Sequence, residues 1–446
     1  MQSVLSIILI LLSVAQDKSV PEPVKPGVWT IKPVPVEYIK AILPPSEREN
    51  PPFVFTAEQM SEMAEKLMCS QRELLLGLAF LAKPHAVCPI SNFGVGAAVL
   101  ATSGNAYLGV NVEILRMQLA QTIHAEQCAI TNSWNNFETG ISMIAVTETP
   151  CGHCRQFMSE LPDFDKFIVL VSGREEKLIG SLISDAFRPS ALDIDTGIFG
   201  MDIFTYRNLD ALLHINQFYS PDMESPDPES MEIANIILNS GFTKSYSPYP
   251  TSQRSPSAVG LLIRSDLIND ETPKCLQRRL FVGGLLENVA YNPSMQPFQS
   301  AIVALLCGTN ENRVFITDQN GNKNENISRN EKQEEENQFQ RKPIRQLLRK
   351  NVKQKNSYSV SQQDPFVRGI VRKLLQEEAS WDSLLEKVVL LEDFSGSVTI
   401  QREIVKATIN TIAPSASFVA FQTTINHQPE ALAFANEIKN EENENY

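Results

Sequence analysis

The chain has 446 residues, of which 43% are hydrophobic and 20% charged, and its formal net charge is −13. That length exceeds one ordinary domain, so two globular domains with extensions are expected, each able to bury a core. The acidic balance argues against a polyanion as the main partner, because a nucleic-acid substrate would need a local basic patch.

Residues 1–16 form an apolar leader, Val4 to Ala15, that resembles a signal peptide. It is too short to span a bilayer, and Ser13 and Ala15 suit a cleavage site, but the usual positive start is missing. The cysteines point the other way. Cys69, Cys88, Cys128, Cys275 and Cys307 show no framework spacing and read as reduced core thiols, which predicts a cytoplasmic protein, or a secreted one if the leader is cleaved. Residues 17–52 are rich in proline and read as an extended arm. In the small helical segment 53–84, Met60, Met63, Leu67, Leu74, Leu75, Leu78 and Leu81 recur at helical spacing as a packing stripe.

From residue 85 to 195 the pattern becomes mixed. Gly94 to Leu100 and Ala106 to Val110 read as strands joined by a turn at Ser103-Gly104-Asn105. A helix opening at His124, a strand from Ile141 to Thr147, a helix opening at Cys151 and a strand from Lys166 to Val171 follow. The sum is an α/β fold, a three-layer α/β/α sandwich.

Within it, His124-Ala125-Glu126 and Pro150-Cys151-Gly152-His153-Cys154 carry the chemistry. A catalytic zinc takes three protein ligands and keeps one position open, and His124, Cys151 and Cys154 supply one imidazole and two thiolates. Glu126 is left over, two residues from the histidine, and reads as the proton shuttle of a zinc-dependent deamination. A structural zinc knuckle would need a fourth ligand. The nearest candidate, His153, is lodged between the cysteines with its side chain expected to point elsewhere. A helix start at Cys151 favours thiolates through the positive end of its dipole.

Residues 196–235 read as a linker, and residues 236–421 echo the first domain. Ser257 to Ile263, Leu280 to Glu287 and Phe298 to Ile302 match the hairpin, the Gly109-Val-Asn-Val-Glu113 stretch and Glu126 to Ile130. In this copy Gln296 and Phe298 stand where His124 and Glu126 stood, and no Pro-Cys-x-x-Cys follows. The copy is therefore expected to be metal-free, interrupted by a disordered insertion over about 309–362, and followed by an acidic tail over 422–446.

Cys-Gly-His-Cys-Arg-Gln-Phe-Met over 151–158, His-Ala-Glu-Gln over 124–127 and Asn111-Val112-Glu113 carry a family resemblance. The chain resembles the cytidine deaminases, in particular the larger homodimeric bacterial and plant type, closely over 85–195 and more weakly over 230–307 and 381–421. The resemblance implies an active first domain, a degenerate second one and one zinc per chain. It further implies hydrolysis of free cytidine and deoxycytidine to uridine and deoxyuridine with release of ammonia, in pyrimidine salvage. The implied partners are a nucleoside substrate and a second copy of the chain, with no nucleic acid and no stable membrane association. By the same resemblance Asn111 and Glu113 hold the ribose hydroxyls, Phe93 packs on the pyrimidine and the backbone of Ala125 meets the base edge. Asp185-Ala186-Phe187 resembles a segment that reaches over the base in the partner's site. Arg188 stands where the family has glycine, so the turn there must differ or carry strain. The alternatives are a polynucleotide cytosine deaminase and an inactive zinc-binding scaffold.

Overall fold

The computed structural model describes residues 30–194, 197–200, 214–220, 224–242, 245–248, 256–264, 279–308, 311–313, 369, 371–372, 375–376, 380–393 and 401–424. The apolar leader, Cys275, the tail from residue 425 and the expected insertion from residue 314 onward lie outside the described residues. Among the described residues no helix is long and apolar enough to cross a membrane.

The chain starts with α1 (Val36–Ile42), β1 (Val54–Phe55), α2 (Ala57–Leu67) and α3 (Gln71–Ala82). The part of the proline-rich stretch that is described is not simply an extended arm, because α1 begins directly after Pro35 and buries Ile39 completely. Gly77 of α3 makes room for it: a Cβ there would lie 2.7 Å from the Val34 carbonyl oxygen. Helices α2 and α3 open with reciprocal caps, Thr56 with Gln59 and Ser70 with Glu73.

The first sheet is built from β1, β2 (Gly96–Ala101), β3 (Ala106–Val110), β4 (Ile141–Val146), β5 (Ile168–Val171) and β6 (Lys177–Leu178), in the order β1-β3-β2-β4-β5-β6. Helix α4 (Ala125–Asn135) joins β3 to β4, and α5 (Gly152–Met158) joins β4 to β5, which run parallel. Two glycines show how the layers stack. A Cβ on Gly96 would meet the Ala79 carbonyl oxygen of α3 at 2.0 Å, and one on Gly109 would meet the Ala129 amide of α4 at 2.2 Å. Gly109 pairs with Ala97, the residue next to Gly96, so the two glycines face opposite sides and the sheet lies between α3 and α4. Inside α4, buried Asn132 donates to the carbonyls of Phe53 and Leu108 at 3.0 and 2.9 Å, which ties the helix to the chain before β1 and to β3.

The second sheet is built from β7 (His214–Tyr219), β8 (Ser257–Ile263), β9 (Arg279–Gly284), β10 (Glu311–Arg313), β11 (Leu385–Asp393) and β12 (Ser417–Thr424), in the order β10-β9-β8-β11-β12-β7. Its helices are α6 (Pro228–Ser240), α7 (Pro297–Cys307) and α8 (Arg402–Ile412). The run β9-β8-β11-β12 repeats β3-β2-β4-β5, including the one parallel pair. Three expected boundaries shift. The expected linker 196–235 contains β7, which pairs antiparallel with β12, and the start of α6. Residues 311–313, inside the expected insertion, form β10, which pairs with β9. Residues 422–424 belong to β12 rather than to the tail.

Superposing His124 on Gln296 makes the duplication explicit, since both are extended residues capping a helix start and each backbone amide bonds the glutamine three residues on. Gly283 lies as close to Ala301 as Gly109 does to Ala129, 2.1 Å from amide nitrogen to a would-be Cβ. The same offset carries Cys128 to Ser300 and Asn135 to Cys307. These four residues meet: the Cys128 and Cys307 sulfurs are 4.0 Å apart, and Asn135 Nδ2 lies 3.4 Å from the Ser300 carbonyl. Helices α4 and α7 therefore pack about a pseudo-twofold axis.

Candidate metal centre

Two helix starts converge on one point. His124 is the N-cap of α4, placed by the bridge of Ile123 to Val112, and Cys151 is the N-cap of α5 with Cys154 in its first turn. Arg155 secures α5 by donating to the carbonyls of Pro150 at 2.9 Å and Leu182 at 2.7 Å.

The ligand atoms of His124, Cys151 and Cys154 all lie within 4.8 Å of one another. Cys151 Sγ is 3.5 Å from His124 Nδ1 and 3.6 Å from Cys154 Sγ. A tetrahedral zinc bonded at about 2.0–2.1 Å to nitrogen and about 2.3 Å to sulfur needs ligand atoms roughly 3.5–3.8 Å apart. The donor chemistry fits zinc with one position left for a non-protein ligand, and the two distances from Cys151 match that spacing. His153 does not join the group; its ring stacks on that of His124, centroids 4.8 Å apart and planes 21° from parallel.

Of the three ligand groups, Cys151 is the one shifted toward the anionic form that a cation takes. The hydrogen bond with Cys154, helped by His124, brings the Cys151 thiol down to about 3, while the same bond and burial raise Cys154. Contact with Cys151 raises His124. Glu126, in the first turn of α4, is 4% exposed, and burial pushes its carboxyl up against the pull of its own backbone amide and the Cys154 thiol.

The other expected site residues lie as follows. Asn111 Oδ1 accepts from the Val95 amide at 2.7 Å, and its Nδ2 donates to the Phe93 carbonyl at 3.0 Å. The Glu113 carboxylate accepts from the amides of Ile90 and Ser91 at 2.8 and 3.0 Å and from the Ser91 hydroxyl. Both side chains thus hold the loop that carries Phe93, which is itself 56% exposed. Ala125 is buried at the start of α4. The Phe187 side chain is exposed, while its carbonyl is fixed by Gln156 Nε2 at 2.6 Å. The left-handed residue of this segment is Asp185 at φ 52°, whereas Arg188 is extended at φ −119° and so carries no backbone strain. Its guanidinium lies over the Phe164 ring and donates to the carbonyls of Ser159 and Leu161 beyond α5. Arg155 and Gln156 were not singled out from sequence, since nothing in their spacing reveals partners as distant as Leu182 and Phe187.

The family described as "Cytidine and deoxycytidylate deaminase zinc-binding region" matches twice, over residues 69–171 and 179–318. A cytidine deaminase of Proteus mirabilis (strain HI4320) is 35% identical over 266 residues, 60% of this chain and 79% of that protein. One of Aliivibrio fischeri (strain ATCC 700601 / ES114) is 35% identical over 251 residues, 56% of this chain and 72% of that one. A crystal structure of cytidine deaminase from Burkholderia pseudomallei is 31% identical and covers 25% of this chain and 96% of its own, with a TM-score of 0.23. With a three-ligand group of zinc chemistry and these relatives, the chain belongs to the cytidine deaminase family, as a zinc-dependent enzyme.

Proposed function

We propose that the chain hydrolyses free cytidine and deoxycytidine to uridine and deoxyuridine, releasing ammonia, in the cytoplasmic salvage of pyrimidines. The observation that carries this reading is Glu126, a buried carboxyl in the first turn of α4 and next but one to His124. His124, Cys151 and Cys154 would hold the zinc, whose charge would lower the pKa of water to about 7. Glu126 takes one proton from the attacking water and passes it to the ring nitrogen, then takes the proton of the hydroxyl added at C4 and gives it to the amine, which leaves as ammonia while the C4 oxygen becomes a carbonyl. Burial suits Glu126 to this task, because it raises the carboxyl above its ordinary value and so favours holding a proton.

Binding falls to the residues around the loop at Phe93. Its exposed ring offers a face to the pyrimidine, the Asn111 amide and Glu113 carboxylate bind the ribose hydroxyls, and the Ala125 backbone meets the base edge. Phe187 acts across the interface of a homodimer, over the base in the partner's site, from a segment anchored by Arg188 and Gln156. The net charge of −13 favours a nucleoside over a polynucleotide.

Glu126→Ala tests the central role. The variant is expected to keep its zinc and lose nearly all turnover; substantial residual turnover refutes the role of Glu126. Single-stranded DNA is expected to remain unedited under conditions that consume cytidine.

A further inference from the structure

Helix α5 ends two residues before Glu160, whose side chain is only 1% exposed. The carboxylate finds no partner of its own half in these bonds. Oε1 accepts from the Val289 amide at 2.7 Å, and Oε2 accepts from the Tyr246 hydroxyl at 2.8 Å. Both donors belong to the metal-free half. Nearby, Asn288 Nδ2 donates to the Gln156 carbonyl of α5 at 3.1 Å.

The donors are themselves rigidly held. Tyr246 is fully buried and exchanges backbone bonds with the segment after β9, its amide to Leu285 and its carbonyl to the Glu287 amide. In the first half the corresponding segment carries Asn111 and Glu113, with Val87 in the place of Tyr246. The stretch matching the one around the substrate loop in one copy thus grips the other copy's cysteine helix. An apolar side chain at 160 would pack without the cost of desolvating a carboxyl, so a buried acid here calls for a purpose beyond packing. The charged groups that face it are Arg188, which attracts, and Glu287, which repels; burial outweighs them and pushes the carboxyl up to about 7.

We propose that Glu160 is a positioning residue of the metal site: tied to Tyr246 and Val289, it fixes the end of α5 and thereby the placement of Cys151 and Cys154. The metal-free half then sets the geometry of the metal-bearing one. This rests on the reading of those cysteines as zinc ligands.

The test measures zinc release to a chromogenic chelator, the kinetics of cytidine turnover and thermal stability, on the zinc-loaded full chain. Tyr246→Phe keeps the ring and removes one donor. It is expected to speed zinc release about 10-fold, as supports of metal ligands do, and to lower kcat with KM for cytidine unchanged. Glu160→Ala should do more, and Glu160→Gln, which can still accept from Val289, should restore much of the loss. Lys387→Ala, which breaks ion pairs with Asp227 and Glu229 away from α5, serves as the control and should lower stability without changing zinc release. Zinc release at the wild-type rate from Tyr246→Phe, or equal acceleration in the control, overturns the proposal alone. Wild-type protein that holds no zinc overturns the ligand assignment, and the proposal with it.

Discussion

Gln127 donates from Nε2 to the carbonyl of Pro293 at 2.8 Å, joining the residue after Glu126 to the metal-free half. The bond has a pseudo-symmetric mate, Gln299 Nε2 to the Gln121 carbonyl at 2.9 Å. Each glutamine also caps its own helix start, so one side chain sets both the helix entry and the packing of the halves. Removing either leaves a carbonyl without its donor, at a cost of about 1–3 kcal/mol. Gln127→Ala and Gln299→Ala are expected to lose stability by similar amounts in chemical denaturation. A loss confined to one of them would contradict the pseudo-twofold arrangement.

Glycine at 109 is required by contact, since any Cβ would lie 2.2 Å from the Ala129 amide and 2.6 Å from the Ala125 carbonyl. Gly109→Ala must push α4 off the sheet, and His124 and Glu126 move with it. A stability loss of about 1–3 kcal/mol or more is expected, together with reduced turnover. Gly283→Ala meets the same obstacle at Ala301, 2.1 Å away. It should cost similar stability and leave turnover the less affected of the two; the reverse order in activity assays would count against α4 as the catalytic helix.

Arg188 ties the segment after Phe187 to the end of α5 through the Ser159 and Leu161 carbonyls. Because Arg188 is extended, glycine there gains nothing from its conformational freedom and loses both bonds. Arg188→Gly is expected to raise KM for cytidine and to lower stability by about 1.5–3 kcal/mol, the range for hydrogen bonds to charged groups. Unchanged kinetics would separate the segment from the site.

Glu160 makes stability depend on pH in a defined direction. Its carboxyl rises from 4.5 to about 7 on folding, chiefly through burial, so the folded protein holds the proton more tightly than the unfolded chain. The contribution is fully present below about pH 4.5 and is lost as pH rises through about 7, worth about 3 kcal/mol at most. Denaturation of wild type and Glu160→Gln across that window should show wild type losing more stability as pH rises. Identical pH dependence would mean that Glu160 does not titrate there.

The candidate metal centre was legible in the sequence because its carriers are local. His124 and Glu126 share one helix start, and Cys151 and Cys154 another, so short spacing translates directly into geometry. The duplication was legible for a related reason, as the close approaches at Gly109 and Gly283 preserve residue types. What escaped was non-local. Strand β7 exists only through its pairing with β12, and α1 through its packing on α3 near Gly77. Glu160 looks like any surface glutamate until Tyr246, 86 residues on, closes over it.

The most direct test is an ultraviolet assay of cytidine loss with purified protein of known zinc content, run beside Glu126→Ala. Uridine and ammonia formed in equal amounts by protein holding one zinc per chain, with turnover lowered at least about 10²–10⁴-fold in the variant at undiminished zinc, is the predicted result. Zinc-loaded wild-type protein that leaves cytidine untouched would contradict the account.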